Sequence, residues 1–155
     1  ENNAAMAVQS MAGHSFRFWR DAGRDAALLG PARDALLRAG LPPARWALPA
    51  GALAHGERKQ LELAVALALR PRLLLLDEPM AGLGTDGGRR MTGALAAMKG
   101  DIAVLLVEHD MDAVFALADR VSVLVGGRCI ATGSPEAIRA DPAVRAAYRS
   151  ADEDA

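Results

Sequence analysis

Leu73-Leu74-Leu75-Leu76-Asp77-Glu78-Pro79 is the stretch from which this chain can be read outward. Four leucines between Pro71 and Pro79 are too few for a helix. They suit a short strand covered on both faces, as in the parallel sheet of an α/β protein. Two adjacent carboxylates then stand at the strand's carboxyl end, the edge at which open α/β sheets bind ligands. Taken alone, the run is more commonly a buried strand that leaves the core through an acidic turn.

The flanking segments change that balance. Upstream, Leu53-Ala54-His55-Gly56-Glu57 precedes a helix in which Leu61, Ala64, Val65 and Ala68 recur at the spacing of a buried stripe, and Arg70-Pro71 ends it. Gly56, just before that helix, lets backbone N–H groups come close to an anion such as phosphate, although an isolated glycine there more often only relaxes the loop. Downstream, the glycine-rich run Met80 to Gly88 leads into a helix with Met91, Ala94, Leu95 and Met98 on one face, closed by Gly100. Ile102 to Val107 reads as a second buried strand and ends in Glu108-His109-Asp110. Strand, helix, strand implies a parallel crossover, so His109 should emerge at the same sheet edge as Asp77 and Glu78. A lone histidine after a strand is more often structural; here the convergence gives it a second reading.

Elsewhere the pattern is mostly punctuation. A first helix fits Ala4, Met6, Ala7, Val8 and Met11, followed by an irregular break over 13–23. Phe16, Phe18 and Trp19 alternate there with Arg17 and Arg20 and read as anchors of a loop before a stacking surface for bases. Leu29-Gly30-Pro31 is expected to open a second helix, and Gly40, Pro42 and Pro43 to close it. Met111, Val114, Phe115 and Ala118 predict another helix. Val121 to Val125 and Arg128 to Thr132 form a hairpin across Gly126-Gly127. Ser134-Pro135 and Asp141-Pro142 each look like a helix cap with proline at the first helical position. Asp152 to Asp154 is expected to fray.

Composition excludes several classes. A net charge of -1 gives no basic surface for nucleic acid, although 16 of the 18 basic residues are arginine. Cys129 is the single cysteine, which rules out an internal disulfide, and no Cys/His spacing fits a zinc site. The longest apolar runs fall far short of the roughly 20 residues that span a bilayer. The chain begins Glu1-Asn2-Asn3 and is expected to continue something longer.

With these residues in view, the chain resembles the ATP-binding-cassette ATPases over essentially its whole length. Ala54-His55-Gly56-Glu57 is similar to the signature loop, Leu73 to Glu78 to the Walker B strand with its following glutamate, Met80 to Asp86, with Gly82 and Leu83, to the D-loop, and His109 to the switch histidine. Order and spacing agree, with 32 residues from Asp77 to His109. Within the family the likeness is to ATPase subunits of branched-chain amino-acid importers, on Val107-Glu108-His109-Asp110-Met111, on Ala118-Asp119-Arg120-Val121 and on the ending from Gly133 to Tyr148.

The resemblance implies an α/β P-loop NTPase fold in partial form. Residues 1–70 would be the helical subdomain, and 71–155 the C-terminal part of the parallel-sheet core with its hairpin and short helices. It implies ATP and Mg²⁺ as ligands, with Asp77 holding the metal through water, Glu78 polarising the attacking water and His109 contacting the γ-phosphate. The signature loop would serve the nucleotide of a second ATPase subunit arranged head to tail. Permease subunits would anchor the protein at the cytoplasmic face of a bacterial inner membrane, touching the region from Ala4 to Trp46.

Departures are equally informative. No Gly-x-x-x-x-Gly-Lys-Ser/Thr occurs, because the two lysines, Lys59 and Lys99, have other neighbours. The Q-loop is also missing, Gln9 lying too late and in a helical context. Ala54 stands where the family usually has serine, and Gly84 where many members carry aspartate. The fragment alone is therefore expected to be inactive. Two alternatives remain at this level: a lipopolysaccharide-export ATPase, and a non-hydrolysing half-cassette that regulates a partner.

Overall fold

A computed structural model describes residues 1–11 and 25–153. The aromatic-arginine loop at Phe16, Phe18 and Trp19 and the terminal Asp154 lie outside the described residues. Two compact units are formed, 1–109 and 110–155.

In the first unit, helices α1 (Asn2–Met11), α2 (Ala26–Arg38) and α3 (His55–Ala68) pack on one another. Helix α1 turns Ala4, Ala5 and Ala7 inward and leaves Met6 and Met11 exposed. Small side chains let its backbone approach its neighbours closely. Helix α2 starts earlier than Pro31 suggests: the Asp25 carboxylate caps it by accepting from Ala27 N–H at 3.0 Å, and Pro31 lies inside the helix. An aspartate cap sets the start, and the helix tolerates one missing N–H further in. Its end follows expectation. Gly40 takes φ +79°, and Leu41 N–H donates to the Leu36 carbonyl at 3.0 Å, the wrap that closes a helix on a left-handed residue.

Helix α3 begins at His55 and so takes into its first turn Gly56, which was expected to lie just before the helix. Its buried face is Gln60, Leu63, Ala64, Leu67 and Ala68; Leu61 and Val65 are only half-buried. The stripe is the expected one rotated by about one position, with Leu63 and Leu67 buried where Leu61 and Val65 were expected.

Strand β1 (Leu73–Asp77) and strand β2 (Ala103–Val107) pair in parallel, Leu73 opposite Ala103 through Asp77 opposite Val107. Between them runs helix α4 (Gly84–Ala96), with Met91, Ala94 and Leu95 buried and Met98 just beyond it. Gly87 and Gly88 fall within this helix, not in the turn before it. The expectation of strands covered on both faces is corrected here. Leu74 is buried and Leu76 half-buried, but Leu75 is 68% exposed and Leu105 59%. Among the described residues the sheet has two strands, and its Leu73, Leu75, Leu105 and Val107 are all exposed.

The second unit contains α5 (Met111–Leu117), the hairpin β3 (Val121–Val125) and β4 (Arg128–Gly133), α6 (Pro135–Ala140) and α7 (Pro142–Glu153). Gly126 and Gly127 both have positive φ, as the two-residue turn requires. Ser134 Oγ accepts from Ala137 N–H, and Asp141 Oδ1 from the N–H groups of Ala143 and Val144, so both proline-led caps form. The second cap carries α7 through Glu153, where fraying was expected. Val121, Val123, Ile138 and Val144 make this unit's core.

Candidate functional site

Asp77 ends β1 and Glu78 follows it, while His109 lies two residues beyond the end of β2. Parallel pairing therefore brings all three to one sheet edge. Glu78 N–H donates to the Val107 carbonyl at 2.9 Å, carrying the ladder one step past the strand. Glu78 then adopts φ +44°, a left-handed conformation that costs a side-chain-bearing residue of order 1 kcal/mol or more. The turn aims the carboxylate off the strand's course, toward the imidazole. His109 Nδ1 lies 3.5 Å from Glu78 Oε1, and both side chains stay largely open, at 74% and 52% exposure.

Behind them sits a carboxylate that sequence reasoning treated only as part of a motif. The Glu108 side chain is fully buried. Its Oε1 accepts from Met80 N–H at 2.8 Å and its Oε2 from His109 N–H at 3.2 Å. The alternation of β2 could have placed Glu108 inward, but the acceptor role depends on a loop 28 residues away.

The loop before α3 forms a second cluster. Glu57 Oε2 accepts from Ala54 N–H at 2.9 Å, and Glu57 Oε1 pairs with Arg45 Nε at 2.9 Å. Ala54 is the cap residue yet has no oxygen to offer in return, so only one half of a reciprocal cap exists. The N–H groups of the first turn have no intrahelical acceptor, which leaves a site suited to an anion. Restoring the missing oxygen should be measurable. Ala54→Ser is expected to stabilise the chain by about 1 kcal/mol, seen as a higher urea midpoint at unchanged slope; an unaltered midpoint would show that the first turn is satisfied otherwise.

This loop touches the one after Glu78. A Cβ added to Gly82, at φ +72°, would stand 3.3 Å from His55 Nε2, and one added to Gly56 would lie 3.6 Å from Leu83 Cδ2. Gly82 is thus required both by its backbone angle and by the close approach. His55, Gly56, Gly82 and Leu83 form one patch, Asp77, Glu78 and His109 another, and residues 78–83 are the chain between them.

Oxygen donors dominate the sheet edge, and among the described residues no group of three or more His, Cys, Asp or Glu could hold a metal ion. A metal taken at Asp77 would draw most of its ligands from water and phosphate oxygens, the habit of Mg²⁺.

The family model described as "ABC transporter" matches residues 14–81, and that described as "Branched-chain amino acid ATP-binding cassette transporter" matches 128–148. The high-affinity branched-chain amino acid transport ATP-binding protein BraF of Pseudomonas aeruginosa is 41% identical over 101 residues, covering 64% of this chain and 40% of that protein. LivG of Escherichia coli, of the same description, is 38% identical over 98 residues, covering 62% and 38%. The chain spans about two fifths of the length of these relatives. A solved ATP-binding cassette of an ABC transporter in its ADP conformation superposes with a TM-score of 0.74 at 22% identity, covering 94% of this chain and 61% of that one. The chain is thus similar to ATP-binding-cassette transporters over 14–81 and 128–148, and its fold is that of a solved ATP-binding cassette.

Proposed function

We propose that this chain is the C-terminal portion of an ATP-hydrolysing importer subunit, moving branched-chain amino acids or related solutes. The observation that carries the reading is the parallel β1–β2 pairing, which gathers Asp77, Glu78 and His109 at one edge. Glu78 is open to a water molecule and accepts its proton as that water attacks the γ-phosphate. His109 donates to the γ-phosphate, and the nearby Glu78 carboxylate favours the ring orientation that does so. Asp77 would hold Mg²⁺ through water. When bound, that ion neutralises charge on the phosphate oxygens. Phosphoryl transfer asks a protein mainly for such positioning and charge stabilisation.

Ala54, His55, Gly56 and Glu57 present the first turn of α3 to the nucleotide of a second subunit, head to tail. Gly82 and Leu83, packed on that loop, report its state to the hydrolytic edge. The division of labour is between the helical region 1–70 and the nucleotide-binding core 71–155. The phosphate-binding loop and Q-loop are not in these residues, so the 155 residues alone do not turn over ATP. The uncovered face of Leu73, Leu75, Leu105 and Val107 supports this, since parallel strands are stable when both faces are packed. A self-contained regulatory half-cassette would not leave that face bare. The likeness to BraF and LivG favours the importer over the lipopolysaccharide exporter.

Among the described residues no helix is long and apolar enough to cross a membrane. Attachment to the cytoplasmic face of the bacterial inner membrane is through permease subunits, which contact 4–46. A cleft of about 500 Å³ beside α2, lined in part by Asp34, Arg38, Arg70 and Asp101, offers a polar surface on that side.

The test is ATP hydrolysis by the lipid-reconstituted transport complex containing this sequence. Leucine, isoleucine or valine, delivered with the cognate binding protein, should raise a Mg²⁺-dependent rate; a polyamine should not. A rate indifferent to all three amino acids would overturn the solute, and no Mg²⁺-dependent hydrolysis would overturn the ATPase.

A further inference from the structure

Glu108 is the one fully buried carboxylate beside the proposed hydrolytic edge, and the hydrolysis derived above makes no use of it. Buried carboxylates are rare unless paired, and without a partner their desolvation is costly. Among the described residues no lysine or arginine ion pair satisfies this one. Two backbone N–H groups do: Met80, at the start of the loop that carries Gly82 and Leu83, and His109 itself. His109 Nδ1 stands 4.0 Å from the same carboxylate.

The residue type matters. Two donors converge on this side chain from different segments, and a carboxylate offers an acceptor oxygen to each. A glutamine would turn an NH₂ group against one of the two N–H donors. An aspartate, one methylene shorter, would not span from Met80 to His109. We propose that Glu108 is a positioning residue that clamps the start of the 80–86 loop to the strand end bearing His109, so that loop and histidine shift together. Its meaning for turnover rests on the proposed ATPase function; the clamp itself does not.

Hydrogen exchange in the 155-residue chain tests the clamp without any nucleotide. In Glu108→Ala, which removes both acceptor oxygens, the Met80 amide should exchange about tenfold to a hundredfold faster, the range expected for losing a bond to a charged group. Amides of Ala64 and Leu67 in α3 should stay within about twofold, and Glu78→Gln should leave Met80 unchanged. An unaltered Met80 rate would overturn the proposal. So would equal acceleration of every core amide, which would mark Glu108 as a general stabiliser. In the transport complex, Glu108→Gln should lower kcat about tenfold with KM for ATP within about twofold, and Glu108→Asp should not restore it. A change in KM alone would overturn the positioning role. A wild-type complex that hydrolyses no ATP would overturn the ATPase reading while the exchange result still decides the clamp.

Discussion

Glu78→Gln is expected to lower ATP hydrolysis by the assembled transporter about 10²–10⁴-fold, the usual worth of a general base. MgATP binding should change by about twofold at most, since the group acts only as the water is deprotonated. The substitution keeps volume and shape, so the turn at φ +44° and the bond from residue 78 N–H to the Val107 carbonyl persist. What disappears is the negative charge that takes the proton. Because this side chain is about half exposed, little of the core depends on it. Stability should move by no more than about 0.5 kcal/mol, which separates a chemical defect from a folding one. Turnover within about threefold of wild type would place the base elsewhere.

The second large effect is on stability. Leu36, in the middle of the three-helix packing, has no exposed surface. Leu36→Ala is expected to cost about 2–5 kcal/mol, the sum of lost burial and the cavity left behind. That is a large share of the roughly 5–15 kcal/mol that holds a domain together. Leu75→Ala, on the uncovered face of β1, should cost less than about 1 kcal/mol in this chain. In a complete cassette, with that face packed, the same change should cost about 2–5 kcal/mol. Urea denaturation of the two variants gives the comparison. Equal costs for Leu36 and Leu75 in the 155-residue chain would show that the β1 face is already covered.

Much of the site was legible because its logic is local. An apolar run ending in Asp77-Glu78, a glycine-led helix start at 55–57 and a second run ending in His109 each announce themselves within ten residues. The parallel relation between the two strands follows from the helix that separates them. The hairpin turn at Gly126-Gly127 and the caps at Ser134 and Asp141 are likewise set by short-range hydrogen bonding and by backbone angles that few residues adopt. Where local signals compete, reading is less sure. Pro31 marks a helix start in isolation, but Asp25 caps an earlier one; Leu61 and Leu63 are equally apolar, and only the packing of α3 buries Leu63 and leaves Leu61 half-buried.

By itself, then, the sequence determined which elements form and in which order, and that Asp77, Glu78 and His109 share a sheet edge, since these follow from periodicity, capping and crossover connection. Only the tertiary structure decided that Glu108 turns inward to bridge Met80 and His109, that His55 rests against Gly82, and that Leu75 and Leu105 stay largely exposed. Each of those depends on which distant segment arrives at a given point in space, and residue spacing along a chain does not encode that distance.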